Sequence, residues 1–232
     1  MFGSGKGEQL LFNVADFNGA FEYFETTGSE RWDEIATVVD ELRPQFQASD
    51  QAGRVGGAIF DPKATNRILT DQAADFGWSK VPVPAELKPF GLDWDGGKGT
   101  VLAEWQFSNY PFLWNNVIRT EAIFQSEARL PSLSGPVDAL IIITKSGTLP
   151  ASNSTLYFEQ ACAQIDTVTT LGVFRLPIRI IGLTVDTEAS ALDIDWNSYD
   201  GRYARDGISE QRVMNVTWGN PRQYGHRSLS LS

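Results

Sequence analysis

An apolar run, residues 137–144, lies in the middle of the chain. It contains one charged residue, Asp138, near its start. Such a run is typical of a strand that is buried on both faces of a sheet. A sheet of this kind has to be covered by further secondary structure on each side. The run therefore predicts a central sheet flanked by helices.

Periodicity and turn residues predict the elements around this strand. They are a β-hairpin over 90–95 and 100–107 with a Gly-Gly-Lys-Gly turn, a helix over 111–125, a helix over 155–164, and a strand over 176–185. The order β-β-α-β-α-β predicts an α/β fold with a mixed central sheet. Further upstream, Ser29 is the predicted N-cap of a helix over 30–46, which Pro44 should end or kink.

The 232 residues contain no fixed-period repeat and no long linker, so we expect a single domain over 1–232. Its core should lie at about 84–187, between a helical N-terminal part, 1–83, and a basic C-terminal part, 201–232. No apolar run approaches the ~18 residues that cross a bilayer, and the first residues lack a signal-peptide pattern. We therefore expect a cytoplasmic protein that does not contact a membrane.

Composition narrows both the partners and the metal chemistry. The formal net charge of −10 argues against sequence-blind binding to nucleic acid, although a local basic face stays possible. One cysteine and one histidine exclude a cysteine-built zinc site and the common histidine sites. Any bound metal ion must therefore be held by oxygen ligands.

The hairpin presents an oxygen-rich face. Because side chains alternate along a strand, Glu104 and Gln106 point to one side, and Asp93 and Asp95 share a side on the other strand. Two carboxylates and an amide oxygen suit Mg²⁺, which would support phosphodiester hydrolysis. The alternative is that these residues are ordinary turn chemistry and a solvated strand face.

Several motifs in the same order resemble the restriction endonucleases of the BglII and BstYI type. They are Leu92-Asp-Trp, Leu102-Ala-Glu-Trp-Gln-Phe-Ser-Asn-Tyr-Pro-Phe, Trp114-Asn-Asn, Ser152-Asn-Ser-Thr-Leu-Tyr-Phe-Glu-Gln and Leu176-Pro-Ile-Arg-Ile-Ile-Gly. The likeness covers about residues 92–186. It implies the PD-(D/E)xK nuclease fold, with glutamine in place of the usual final lysine.

By position, Glu104 and Gln106 match the glutamate and glutamine of that family. The aspartate is ambiguous. The family spacing favours Asp95, whereas the apolar-Asp-aromatic context favours Asp93, toward which we lean because Asp95 abuts Gly96 and could belong to the turn. The resemblance implies that Mg²⁺ is bound by one of these aspartates together with Glu104, while Gln106 positions or ligates the attacking water.

The resemblance also implies double-stranded DNA as substrate. Asn153 and Ser154, with Ser152, occupy the place of the base-reading loop of the family, although the same residues could simply cap a helix. In the basic C-terminal part, Arg202 and Arg205 could clamp phosphates or read guanine. A palindromic site would require a homodimer, and a cognate DNA methyltransferase is expected to act on the same site.

The resulting prediction is a Mg²⁺-dependent type II restriction endonuclease that defends a prokaryotic host. Two alternatives stay open: a repair or recombination nuclease of the same fold that reads DNA structure, and a catalytically inert DNA-binding domain, which the acidic net charge favours. Lys98, Lys145 and Arg119 could each stabilise developing charge, but the sequence does not distinguish among them.

Overall fold

The structure, a computed structural model, describes residues 10–152, 155–201, 204, 206–221 and 227–232. In that part of the chain eleven strands form two sheets, and five α-helices pack against them. None of the described helices combines the length and the apolar character needed to cross a membrane.

A mixed six-stranded sheet forms the centre of the molecule, in the order β1-β8-β7-β6-β5-β4. Its strands are β1 Leu11–Phe17, β4 Ser79–Pro82, β5 Asp93–Lys98, β6 Val101–Trp105, β7 Ala139–Lys145 and β8 Ile178–Thr184. The strands β6, β7 and β8 run parallel, and the other pairings in this sheet are antiparallel. The predicted buried strand, β7, lies inside the sheet with all seven residues buried.

A second sheet has five strands, in the order β11-β10-β9-β2-β3. Its strands are β2 Gln45–Ala48, β3 Ala58–Phe60, β9 Ala191–Ser198, β10 Ile208–Pro221 and β11 Arg227–Leu231. The basic C-terminal part therefore contributes the long strand β10 and the last strand of this sheet.

The five helices cover both faces of the central sheet. They are α1 Ala20–Phe24, α2 Ser29–Asp40, α3 Pro62–Asp75, α4 Pro111–Ser126 and α5 Phe158–Thr170, and a 3₁₀ helix, Ala85–Phe90, precedes β5. One core lies between the sheet and α4 with α5. The other lies between the opposite face, α1 to α3 and the second sheet. The predicted mixed α/β fold is confirmed.

Several local predictions need correction. The first 83 residues are not simply helical, because β1 and β4 join the central sheet and β2 with β3 join the second one. The helix predicted over 30–46 ends at Asp40, and its N-cap is Gly28 rather than Ser29. Pro44 instead precedes the strand β2, which pairs with β3 and β9.

Candidate active site

The β5–β6 hairpin brings Asp95 and Glu104 together. The antiparallel register pairs Gly96 with Ala103 and Gly97 with Leu102, so the next pair along the hairpin is Asp95 opposite Glu104. The Asp95 Oδ2 accepts a hydrogen bond from the backbone N–H of Trp105 at 2.9 Å. The two carboxyl groups are close enough for the negative charge of Asp95 to raise the pKa of Glu104.

Asp93 differs from Asp95 in its surroundings, and our reason for favouring Asp93 was wrong. Asp95 is a strand residue, because the hairpin turns at Gly99 and Thr100 rather than at Gly96 and Gly97. Asp93 sits at the start of β5 with its side chain exposed, and its backbone carbonyl, not its carboxylate, accepts from Arg119 at 2.7 Å. The geometry therefore favours Asp95 as the partner of Glu104.

Glu104 is 4 % exposed, and burial raises the pKa of its carboxyl group to about 8. The positive charge of Arg119 opposes this rise, and the negative charge of Asp95 adds to it. Burial also raises the pKa of Asp95. The hydrogen bond from the Trp105 N–H and the positive charge of Lys80 both lower that pKa, but burial has the larger effect. Two carboxyl groups this close resist double ionisation unless a cation is near.

Gln106 lies directly after β6, two residues beyond Glu104, and is 4 % exposed. Its Nε2 donates to Ser108 Oγ at 2.9 Å, and its Oε1 accepts from Asn116 Nδ2 at 2.8 Å. The carboxamide is thus held at both ends. Since its oxygen can accept a second hydrogen bond, the group keeps capacity to bind a water molecule or an ion.

Arg119 is buried behind the carboxyl pair and pairs with Glu104. Its guanidinium lies 5.0 Å from the centre of the Trp94 ring and donates to the Phe90 carbonyl at 3.3 Å. Gly91 leaves room for it: a Cβ there would lie 1.9 Å from the Arg119 Nη1, and the φ of +141° also disfavours a side chain. The 3₁₀ helix, β5 and α4 therefore meet at this arginine.

α4 contacts both Glu104 of β6 and Gln106, which directly follows that strand. Asn116, Arg119 and Thr120 are all buried on the side of α4 that faces the sheet. The Thr120 hydroxyl donates to the Asn116 carbonyl at 2.7 Å and accepts from Trp94 Nε1 at 2.9 Å. Asn116 belongs to the Trp114-Asn-Asn motif, but we assigned no role to it or to Thr120 from the sequence. Three polar residues at i, i+3 and i+4 on an apolar helix face were the available signal.

The other two candidate cations, Lys98 and Lys145, have different partners. Lys98 pairs with Glu34 of α2 on the far side of the hairpin. Lys145 is buried at the end of β7, where burial lowers its pKa to about 8 and the negative Glu159 opposes the shift. Of the three candidate cations, Arg119 is the one that contacts the carboxyl pair.

The donor set fits a hard divalent cation. Two carboxylates and one carboxamide supply oxygen ligands, and such ions accept water or substrate oxygens for the remainder. No group of three or more His, Cys, Asp or Glu side chains suited to a metal occurs in the described residues. A metal here would therefore depend on Asp95, Glu104 and non-carboxylate oxygens.

The loop between β7 and α5 carries the candidate base-reading residues. Ser152 is exposed, and its carbonyl accepts from the Thr155 hydroxyl at 2.6 Å, whereas Asn153 and Ser154 lie outside the described residues. The helix-cap alternative is wrong, because α5 begins at Phe158 with Tyr157 at its N-cap. Arg202 and Arg205, the candidate phosphate or guanine contacts, also lie outside the described residues.

Three comparisons identify similar proteins. A family model described as restriction endonuclease BglII/BglIII matches residues 12–183. The type II restriction enzyme BglII of Bacillus subtilis is 40% identical over 198 residues, which are 84% of this chain and 86% of that protein. The crystal structure of BglII complexed with a DNA 16-mer matches with a TM-score of 0.84 at 36% identity, covering 94% of this chain and 99% of that one. Free BglII matches with a TM-score of 0.67 at 29% identity, with coverages of 94% and 98%.

Proposed function

The chain belongs to the BglII/BglIII family of type II restriction endonucleases, whose reaction is site-specific DNA cleavage, and we propose that it cuts both strands of a short palindromic site with Mg²⁺ as its cofactor. Divalent metal ions are general in this class of enzyme. The observation that carries the proposal is the contact of Asp95 with Glu104, beside Gln106 on the same hairpin.

Asp95 and Glu104 would hold the ion, with Asp93 as the less favoured alternative because Asp93 is exposed and contacts Arg119 through its backbone carbonyl. When bound, Mg²⁺ lowers the pKa of a water ligand and stabilises charge on the phosphoryl oxygen. Gln106 would orient the attacking water, since a neutral amide cannot serve as a general base at neutral pH. Arg119 would keep Glu104 directed toward the site through their ion pair.

DNA recognition is proposed for the surface around these residues. Asn153 and Ser154, with Ser152, would read base edges in the major groove, where the four base pairs are distinguishable. Arg202 and Arg205 follow β9 and would bind phosphates or guanine. Local basic contacts of this kind are compatible with an acidic chain, because binding depends on the charge at the interface.

A homodimer would supply one active site for each strand of a palindrome. Its support in the structure is the exposure of three large apolar side chains on α4 and at its N-cap, namely Tyr110, Phe112 and Ile118. We further propose that the two sheets form one domain over residues 1–232, that the enzyme works in the cytoplasm, and that a DNA methyltransferase protects the same site in the host.

Digestion of plasmid DNA tests the proposal. The purified protein with Mg²⁺ should produce discrete fragments whose sequenced ends share one palindrome, and chelation by EDTA should stop the reaction. Cleavage confined to branched or damaged DNA would instead indicate a structure-specific nuclease. Tight binding of one duplex in Ca²⁺ without cutting in Mg²⁺ would indicate an inert binding domain.

A further inference from the structure

An exposed lysine, Lys80, lies beside the carboxyl pair on the neighbouring strand β4. On either side of it the β4–β5 register pairs Ser79 with Gly97 and Val81 with Trp94. Between these pairs β4 has one residue and β5 has two, which is a β-bulge, so Lys80 lies opposite Asp95 and Gly96. Because Asp95 is also opposite Glu104, a lysine, an aspartate and a glutamate stand on three adjacent strands.

The positive charge of Lys80 acts on this pair and is not used elsewhere in the described structure. Burial has the largest effect on the pKa of Asp95, and of the two cations that lower that pKa, Lys80 has a larger effect than Arg119. Arg119 is already paired with Glu104. By contrast, the described residues provide no hydrogen bond or ion pair to Lys80 Nζ, so its charge is available to a ligand.

The chemistry proposed for the site calls for an accessible cation. Hydrolysis of a phosphodiester adds negative charge to the phosphoryl oxygens in the transition state, and a positioned Lys or Arg stabilises that charge. Gln106 is a neutral amide and cannot do so. Arg119 is 3% exposed, whereas Lys80 is exposed and Asp95 is only partly buried. Of the two cations that act on Asp95, Lys80 is therefore the one that DNA can reach.

We propose that Lys80 is a further catalytic residue, whose ammonium group contacts a non-bridging oxygen of the scissile phosphate as negative charge develops there. The inference rests on the proposed function. Since β4 is the last strand of the six-stranded sheet, the flexible stem of Lys80 can turn toward DNA while the strand stays in place. A lysine on an edge strand can also serve only to prevent pairing with another sheet, and that role predicts an unchanged cleavage rate.

Lys80→Met tests the proposal, because it removes the charge and keeps most of the unbranched side chain. The DNA is a duplex with the site identified from the plasmid ends. We expect the single-turnover rate at saturating Mg²⁺ to fall about 100-fold, a loss typical of one group that stabilises charge in a transition state. Affinity for the same duplex in Ca²⁺ should fall much less than the rate, because the contact strengthens as the charge develops. Lys80→Arg keeps the charge and should recover most of the rate.

Lys88→Met is the matched control, because Lys88 is an exposed lysine of the 3₁₀ helix and its loss removes the same single charge. Its cleavage rate should equal that of the wild type. If Lys80 merely repels the ion from Asp95, Lys80→Met would reach the wild-type rate at a lower Mg²⁺ concentration, and the proposal would be overturned. Equal losses of rate and affinity would also overturn it. In both cases the wild-type enzyme still cleaves, so the proposed function itself would stand.

Sulfur substitution of the scissile phosphate tests the contact itself. In one of the two phosphorothioate diastereomers, sulfur replaces the oxygen that Lys80 contacts. That substitution should slow the wild-type enzyme more than Lys80→Met, because a contact that is already absent cannot be lost again. If sulfur slowed both enzymes by the same factor in both diastereomers, the contact between Lys80 and the phosphate would be refuted.

Discussion

Asp93 and Asp95 are two residues apart, yet β5 places them in different electrostatic surroundings. Asp95 lies opposite Glu104 and is partly buried, so its carboxylate can share a cation with that residue. Asp93 is exposed and contributes only its backbone carbonyl to Arg119. Family spacing favours Asp95, whereas the aromatic residue that follows Asp93 favours Asp93. Trp94 is in fact conspicuous because it packs under Arg119.

Replacing each aspartate by alanine separates the two. Asp95→Ala should reduce Mg²⁺-dependent plasmid cleavage by more than about 100-fold, because losing an ion ligand costs more than losing an outer partner. Asp93→Ala should keep most of the activity and serves as the matched control. Equal retention of activity in both variants would contradict the whole site.

Arg119 supplies the positive charge that stabilises the carboxylate of the buried Glu104. Arg119→Met removes the charge, keeps much of the side-chain volume, and leaves Glu104 beside Asp95. Breaking a buried ion pair from one side destabilises a protein by about 3–5 kcal/mol. Urea denaturation monitored by tryptophan fluorescence should show a loss of that order in the free energy of unfolding.

The control is Arg212→Met, because Arg212 forms an exposed pair with Glu210. Exposed pairs contribute about 0–1 kcal/mol. If both variants lost the same small amount of stability, Arg119 would not have the structural role given to it.

At the level of elements, the sequence predicted best where a single segment carries its own signal. The helix α4 and the strands β7 and β8 lie within two residues of their predicted bounds, because their periodicity or apolar runs are local. β1 and β4 were missed. β1 joins the sheet through a partner distant in the chain, as when Leu11 pairs with Thr184, whereas β4 is only four residues long and pairs with the nearby β5. Short strands of this kind lack a decisive local pattern.

The hairpin shows why glycines misled the interpretation of the turn. Gly99, with φ +64°, makes the turn, while Gly96 and Gly97 lie within β5. A Cβ on Gly97 would lie 2.3 Å from Val81 Cγ2, so the absence of a side chain there permits close packing against β4. The two consecutive glycines, Gly96 and Gly97, are therefore strand residues and not turn residues.

Gly97→Ala should therefore destabilise the protein by about 1–3 kcal/mol, the usual cost of overpacking a core. Gly96→Ala is the matched control, because its Cβ would meet neighbours at 3.4–3.5 Å, an ordinary contact distance. Thermal denaturation of the two variants would measure the difference. A Gly96→Ala variant as unstable as Gly97→Ala would show that strand conformation, not packing, decides the effect.

At the scale of the whole molecule, the two sheets carry different groups of candidate functional residues. The central sheet holds the carboxyl pair and Gln106 along one hairpin, and the second sheet carries the arginine-rich C-terminal part. The loop between β7 and α5 reaches both sheets, since Thr148 contacts Thr184 of β8 and Leu229 of β11. Recognition and cleavage are therefore proposed to meet at that loop.

The proposed homodimer places the last prediction at this scale. Phe112 and Ile118 are 48% and 36% exposed on α4, the helix that contacts the hairpin with the candidate active site. An interface there would bring two active sites to one DNA duplex, and burying an acidic side chain in it would be costly. The double variant Phe112→Asp, Ile118→Asp should therefore dissociate the dimer.

Sedimentation equilibrium measures the outcome directly. The wild-type protein should sediment at about twice the chain mass of 25.6 kDa, and the double variant at the chain mass itself. The monomeric variant should lose concerted double-strand cleavage, because a single active site attacks one strand at a time. The control is Val55→Asp, because Val55 is 76% exposed and lies in a turn outside α4. This variant should stay dimeric. A wild-type monomer that still cuts both strands in one binding event would contradict the symmetric arrangement.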